Sequence, residues 1–350
     1  MFSNLTWMAL LFVAILTPPV FVRLRHDRSI KMEEMILAMV VMGLATIACF
    51  YVGKNFKISD NQIISGEIVD KVREHGSYTE TYDCNCVDGK CQTCSRTIYT
   101  VEWYAVANIA KIEIDSARSE YRSVYNKADP ARYTNIIIGE PASTTRTFRN
   151  YIAATPDSVF HNRSVDPLYA KLMPAYPGQV YDFYRINRVL TLGNVAVNAS
   201  EWNQTLAQHM KKWGYQNKGN VILVFTDIAN RGFTESLKNH WLQGKQNDIV
   251  VMFGLEQNKI LWADVFSWTE NETFKLELAD SLRNLENLNK DAVFSTIDSH
   301  MKDFKYRDMG TDFEYLDHMV APHIVWVPLA YLISILLAIG SIALKRKHFR

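Results

Sequence analysis

Hydrophobic and polar positions are segregated along this chain. Three uncharged apolar runs, residues 5–22, 35–52 and 324–344, extend for 18, 18 and 21 residues. Each is about as long as a helix must be to cross the hydrocarbon core of a bilayer. Between the second and third runs the pattern becomes polar and alternating. Residues 61–149 carry β-branched and alternating segments that predict strands at 63–72, 97–106, 111–114 and 134–138. Within 97–106, Tyr99, Val101 and Trp103 share one face and Thr100, Glu102 and Tyr104 the other, as in a half-buried strand.

From about residue 167 the period changes from two to that of a helix. Ser200 is the expected cap of a helix in which Trp202, Leu206, Met210 and Trp213 recur at helical spacing, with Gly214 as its stop. A short apolar run at 221–225 reads as a strand buried on both faces. A helix over 233–243, stopped by Gly244, leads to a second buried strand at 249–253, which makes a βαβ unit. A third strand is expected at 260–266 after a tight turn at 256–259, and helices over 272–285 and 291–304 close the layer. The expected fold is an α+β membrane protein with three transmembrane helices, an antiparallel β-rich subdomain and an α/β sandwich. Its segments are a first membrane helix (1–23), a loop (24–34), a second membrane helix (35–53), the β-rich part (54–150), the α/β part (151–320), a third membrane helix (321–344) and a basic tail (345–350).

Charge gives the spans a direction. Arg23, Arg25, Arg28 and Lys31 lie between the first two runs, and Lys345, Arg346 and Lys347 follow the third. Lys and Arg beside short membrane spans are retained on the cytoplasmic side, so both clusters are expected inside and the long middle segment outside. Lys54 and Lys57 run against that assignment, whereas Asp308, Asp312, Glu314 and Asp317 agree with it. The first run is not expected to be a cleaved signal peptide, because its basic residues follow the apolar stretch and no small-residue cleavage site is evident. Pro18 and Pro19 break it near its end.

Composition narrows the partners. Hydrophobic residues make up 48% of the chain, an ordinary globular value only if spread evenly, which here they are not. The net charge of +1, with the basic residues concentrated beside the apolar runs, leaves no basic stripe for nucleic acid. The expected partners are therefore a lipid bilayer and another envelope protein. Asn-x-Ser/Thr triplets at Asn4, Asn162, Asn198, Asn203 and Asn271 matter only in a eukaryotic secretory pathway.

Cys84, Cys86, Cys91 and Cys94 form the sharpest local motif, flanking a turn at Asp88 and Gly89. Four thiolates so close can bind zinc tetrahedrally, or they can form two disulfides that staple a hairpin tip. An oxidising location favours disulfides. Cys86 with Cys91 suits a two-residue Asp-Gly turn, whereas Cys84 with Cys94 is one residue out of register and requires a bulge. Cys49, inside the second run, reads as packing.

Trp241, Gly244, Lys245, Asn247 and Asp248, leading into the apolar run 249–252 and followed by a strand and two helices, carry a resemblance. Over residues 235–301 the chain resembles the TPM domain, a family of membrane-anchored α/β domains of bacterial envelopes and the thylakoid lumen. It departs from that pattern where Trp262, Ala263 and Asp264 replace a glycine-rich segment. The whole chain is also similar to membrane proteins encoded by large bacterial viruses, through its paired cysteines, Gly139-Glu140-Pro141, Asn150-Tyr151-Ile152 and the Trp-x-x-Gly-Lys-x-Asn-Asp run. These resemblances imply a place at a bacterial inner membrane, with the main part periplasmic or extracellular. Some TPM-like domains imply divalent-cation binding or phosphate-ester hydrolysis, which requires a cluster of hard oxygen ligands.

Ligands of α/β sheets bind outside the carboxyl ends of strands, which makes Asp227 the best-placed carboxylate, with Asp248 and Asp264 as further candidate metal ligands. Against this, Asp248 can simply cap a turn and Asp264 can face solvent. Tyr181, Asp182, Phe183, Tyr184, Arg185 and Arg188 form either a partner-binding cluster or a packed helix face. The nine histidines show no His-Glu-x-x-His pair, and there is no nucleophile elbow, phosphate loop or dinucleotide fingerprint. The function expected from the sequence is a non-enzymatic, membrane-anchored interaction or envelope protein, of viral or cellular origin, with no cofactor. The alternatives are a membrane-tethered metal-dependent phosphatase or hydrolase using the α/β part, and a zinc or redox sensor using the cysteines.

Overall fold

The computed structural model describes residues 7–9, 11–12, 31–87 and 90–348. Arg23, Arg25, Arg28, the Asp88-Gly89 turn and most of the first apolar run lie outside the described residues, as do the side chains of Lys345, Arg346 and Lys347. The chain divides into two compact units. One comprises residues 1–60, 147–162 and 308–350, the other 61–146 and 163–307. The β-rich and α/β parts therefore fall largely within one unit.

The first unit is built on two apolar helices, α1 (Met32–Ile58) and a C-terminal helix, Trp326–His348. Lys31 opens α1: its backbone N–H donates to Glu34 Oε2 (3.1 Å), and Glu33 and Glu34 place negative charge in the first turn, where the helix dipole favours it. Ala38, Met42, Thr46, Cys49 and Gly53 recur every three to four residues and form the buried stripe. Ala330, Ser334 and Ala338 supply the facing stripe. Small residues let two such helices approach closely, and Thr46 Oγ1 lies 3.4 Å from Ser334 Oγ. Gly53 is the tightest point, since a Cβ there would stand 2.8 Å from the Trp326 indole. Gly53 and Trp326 meet at one end while Thr46 and Ser334 meet further along, so the helices run antiparallel. Gly53→Val is expected to push Trp326 away and loosen the pair. In a Thr46→Cys/Ser334→Cys background, oxidative cross-linking should fall several-fold when Gly53→Val is added.

Among the described residues one helix, α1, is long and apolar enough to cross a membrane. Ile324 and Val325, expected within the third span, form a turn ahead of the helix Trp326–His348, and the part of that helix with described side chains, Trp326–Gly340, does not by itself reach the length of a span.

The second unit contains two four-stranded sheets. In the first, β1 (Ser59–Val87), β2 (Lys90–Ala107), β3 (Lys111–Ser119) and β4 (Pro141–Arg149) lie in the order β3-β2-β1-β4. The β1–β2 and β2–β3 pairs are antiparallel. The expected strand at 134–138 is absent. Ala131–Thr134 is a helical turn after Pro130, and the fourth strand begins only at Pro141. Trp103, Val101 and Ala105 are fully buried on one face of β2, as the alternation required. Beyond Tyr99↔Ser119, where β3 ends, β1 and β2 continue as a two-stranded ribbon from Tyr78↔Ile98 to Val87↔Lys90. At the rise of an extended strand that is about 30 Å. Near its tip Cys84 lies at disulfide distance from Cys94, and Cys86 from Cys91, with Cα separations of 5.8 and 4.0 Å. The register shifts between Cys84 and Val87, and Asn85 takes φ +48°, the bulge that the spacing required.

The second sheet has β5 (Val189–Leu192), β6 (Asn220–Thr226), β7 (Asp248–Glu256) and β8 (Lys259–Ser267) in the order β8-β7-β6-β5. β5, β6 and β7 are parallel and β8 is antiparallel to β7. Helix α2 (Ala199–Gln216) connects β5 to β6, and α3 (Gly232–His240) connects β6 to β7. α4 (Glu272–Arg283) and α5 (Lys290–His300) follow β8. Val221, Leu223 and Phe225 join Trp202, Leu206, Trp213, Phe274 and Phe294 in one core, while Ile222, Val224, Val250 and Met252 join Phe233, Leu237 and Trp241 in another. The sheet is thus covered on both faces, as continuous apolar strands require. Asn198, not Ser200, caps α2, its side chain accepting from Glu201 N (3.3 Å), and the helix runs past Gly214 to Gln216. The 181–188 cluster is not a helix face. Val180–Tyr181 and Arg185–Ile186 form a small hairpin whose turn residues, Asp182 and Phe183, both have positive φ.

Candidate functional site

The polar centre of the second unit is assembled where β5, β6 and β7 begin. Arg188, immediately before β5, is only 2% exposed. Its Nε donates to Asn220 Oδ1 (2.7 Å), and Nη2 donates to Ser65 Oγ (2.5 Å) and Ser143 Oγ (3.0 Å). Asn220, the first residue of β6, passes the contact on through Nδ2 to Asp248 Oδ1 (2.7 Å), the first residue of β7. Parallel pairing places these two side by side, since Asn220 is in register with Asp248. Tyr176 Oη donates to both Asp248 oxygens (3.1 and 2.9 Å), and Lys245 N donates to Oδ2 (2.6 Å).

The turn ahead of β7 is shaped for this arrangement. Leu242, Gln243 and Gly244 all have positive φ, and a Cβ on Gly244 would stand 2.8 Å from Asp248 Oδ2. Asn247 Nδ2 donates to Ile63 O (2.6 Å) and Gln246 Nε2 to Gln62 Oε1 (3.0 Å), which tie the turn to β1. Trp241 Nε1 donates to Pro174 O (3.0 Å). The Trp-x-x-Gly-Lys-x-Asn-Asp run therefore builds a cradle around a wholly buried carboxylate.

Burial sets the protonation of both charged members. It pushes the Asp248 carboxyl up to about 6 despite the donors from Asn220, Lys245 and Tyr176, and it pushes the Arg188 guanidinium down to about 10. Arg188 makes no direct contact with a carboxylate among its hydrogen bonds, all of which go to neutral oxygens. A cavity of about 310 Å³ opens beside it, bounded by Ser143 and Glu140 on one side and by Gln204, Gln208 and Met210 of α2 on another. Glu140 accepts from Tyr184 Oη (2.7 Å) and Arg185 Nη2 (3.1 Å).

The three candidate metal carboxylates are not brought together. Asp248 lies at the start of β7 and Asp227 just beyond the end of β6, about 20 Å away along the strands. Asp227 Oδ2 accepts from Asn194 N (2.8 Å) and closes the turn after β5. Asp264 pairs with Met252 partway along the edge strand β8, and both its oxygens accept from Arg231 (3.1 and 3.1 Å). Among the described residues no three His, Cys, Asp or Glu side chains form a group that could hold a metal ion. Arg188 stands out in the sequence only as a member of the 181–188 cluster, and Asn220 and Tyr176 carry no recognisable motif. For Arg188 and Asn220 the cue is a polar side chain at the start of an apolar strand; Tyr176, in a loop, has none.

Comparison of the chain with protein-family models, with curated proteins and with solved structures finds no match to any of them.

Proposed function

We propose that this is a membrane-anchored protein that presents its two-sheet unit outside a bacterial inner membrane and engages a protein partner there, without catalysing a reaction. The observation that carries the anchoring is the outward face of the helix pair. Met32, Ile36, Val40, Leu44 and Phe56 of α1 are exposed, as are Leu332, Leu336 and Ile339 of the C-terminal helix. Large aliphatic side chains over the whole outward face of two helices suit hydrocarbon, not water. Of the two, α1 is the one long and apolar enough to cross a membrane among the described residues. The antiparallel pairing brings Lys31, at the start of α1, to the same end as the close of the C-terminal helix at residues 345–348, and Lys54 at the other end is neutralised by Asp317 (2.6 Å).

The two-stranded ribbon supports the partner. An isolated hairpin is marginally stable in water, and this one extends beyond its sheet with Tyr78 and Tyr82 exposed and a tip closed by two cysteine pairs. Such a ribbon offers free edges and aromatic side chains at its reach. Disulfides there agree with an oxidising compartment.

The full chain should remain in the membrane pellet through alkaline carbonate extraction, and Ser119→Cys should react with an impermeant maleimide from outside intact spheroplasts. Labelling only after lysis would overturn the orientation. A photo-cross-linking residue at Tyr82 should give a discrete adduct in cells while one at Tyr215 gives none, and equal yields at both would remove the ribbon as the docking element.

A further inference from the structure

Arg188 is a cation held out of water whose three described hydrogen bonds go to Asn220, Ser65 and Ser143. Its remaining nitrogen, Nη1, takes no hydrogen-bond partner among the described residues, and the side chain borders the 310 Å³ cavity. A buried guanidinium without an anion in contact is costly, and the nearest acid inside the network, Asp248, is reached only through the Asn220 amide. The hydroxyls and amide hold the guanidinium fork in one orientation, which is the preorganisation that recognition of an anion requires. We propose that the cavity binds a small organic carboxylate, its anionic group held by Arg188 and its body lying against Met210.

The walls narrow the class. Glu140 on the cavity wall is paired with Arg185 (3.1 Å), also a lining residue, which leaves Arg188 as the uncompensated charge among the described lining residues and favours an anion of charge one. Gln204 and Gln208, exposed on α2 at the cavity, offer amides to a neutral polar group, and Met210 offers an apolar surface. A singly charged carboxylate with one amide or hydroxyl matches all of these. The site is separate from the ribbon and does not depend on it.

The test is calorimetric titration of the full chain, in a neutral detergent, with N-acetylglycine, its uncharged amide N-acetylglycinamide, and inorganic phosphate. N-acetylglycine is expected to bind and the other two not, because loss of a charge-assisted hydrogen bond weakens affinity about tenfold or more. Arg188→Lys should weaken N-acetylglycine binding by a similar factor. Should that variant fail to fold, Gln204→Trp decides the matter: it fills the cavity from an exposed helix position without removing any member of the Arg188 network, and should abolish binding while the melting temperature shows the fold retained. No heat with N-acetylglycine in the parent, binding that survives Gln204→Trp, or preference for phosphate or for the uncharged amide would each overturn the proposal.

Discussion

Asp248→Ala is expected to destabilise the two-sheet unit by about 3–5 kcal/mol, read as a loss of near-ultraviolet circular dichroism at lower temperature or denaturant. The substitution removes the acceptor of Asn220, Tyr176 and Lys245 N and leaves Arg188 with no negative charge in the same buried network. The penalty is that of stranded donors and an uncompensated charge, which exceeds the net worth of the bonds themselves. Two further outcomes distinguish this account from simple loss of packing. The double variant Arg188→Met/Asp248→Leu should lose much less than the sum of the two single changes, because it removes both charges together. Stability should also vary with pH through Asp248. The folded carboxyl titrates near 6, above its ordinary 3.8, so between those values the folded state holds a proton that the unfolded state lacks. Stability from this group therefore rises as pH falls from neutral through 6 and levels off below 4. The difference between the parent and Asp248→Asn should carry that slope, and strict additivity together with a flat difference curve would refute the buried network.

Residues read correctly from the sequence are those whose local pattern and tertiary role coincide. Trp202, Leu206, Met210 and Trp213 recur at helical spacing and do form the buried face of α2. The runs at 221–225 and 249–253 are apolar on both faces because helices cover the sheet on both sides. The four cysteines bring their own geometry, so the pairings and the bulge followed from spacing. Where tertiary context prevails the reading failed. Val189–Leu192 is a parallel edge strand too short to show a period, so the local pattern does not predict it. The run at 134–138 has β-branched residues but follows Pro130, which starts a helical turn instead. Asp248 is singled out by its motif, yet its role is not legible there, because Asn220 lies 28 residues away and arrives through sheet pairing, and Tyr176 lies 72 residues away and arrives from a loop.

Trp213→Ala should cost a further unit of similar size, about 3–5 kcal/mol, for a different reason. Trp213 is wholly buried on α2, stacks on His209 with ring centroids 4.8 Å apart, and packs in the core with Trp202 and Phe294. Truncation opens a cavity, and α2 has no room to shift toward β1 to relieve it, since a Cβ at Gly214 would already stand 2.6 Å from the Ser65 backbone oxygen. The indole also donates to Asp298 Oδ1 (2.6 Å), and this bond first, with Lys212 after it, draws the Asp298 carboxyl below its ordinary value. Here the sign is opposite to that of Asp248. A depressed carboxylate stabilises the fold above its unfolded pKa, and that contribution is lost as pH falls through the folded value. Trp213→Phe keeps most of the volume and loses the N–H, so it should cost less than Ala and should flatten the loss of stability at acid pH. Parallel acid titrations separate the two carboxylates: Asp248→Asn removes a gain on acidification near pH 6, and Trp213→Phe removes a loss below the ordinary carboxylate range. If Trp213→Phe leaves the acid limb unchanged, the indole does not hold Asp298, and the cost of Trp213→Ala is packing alone.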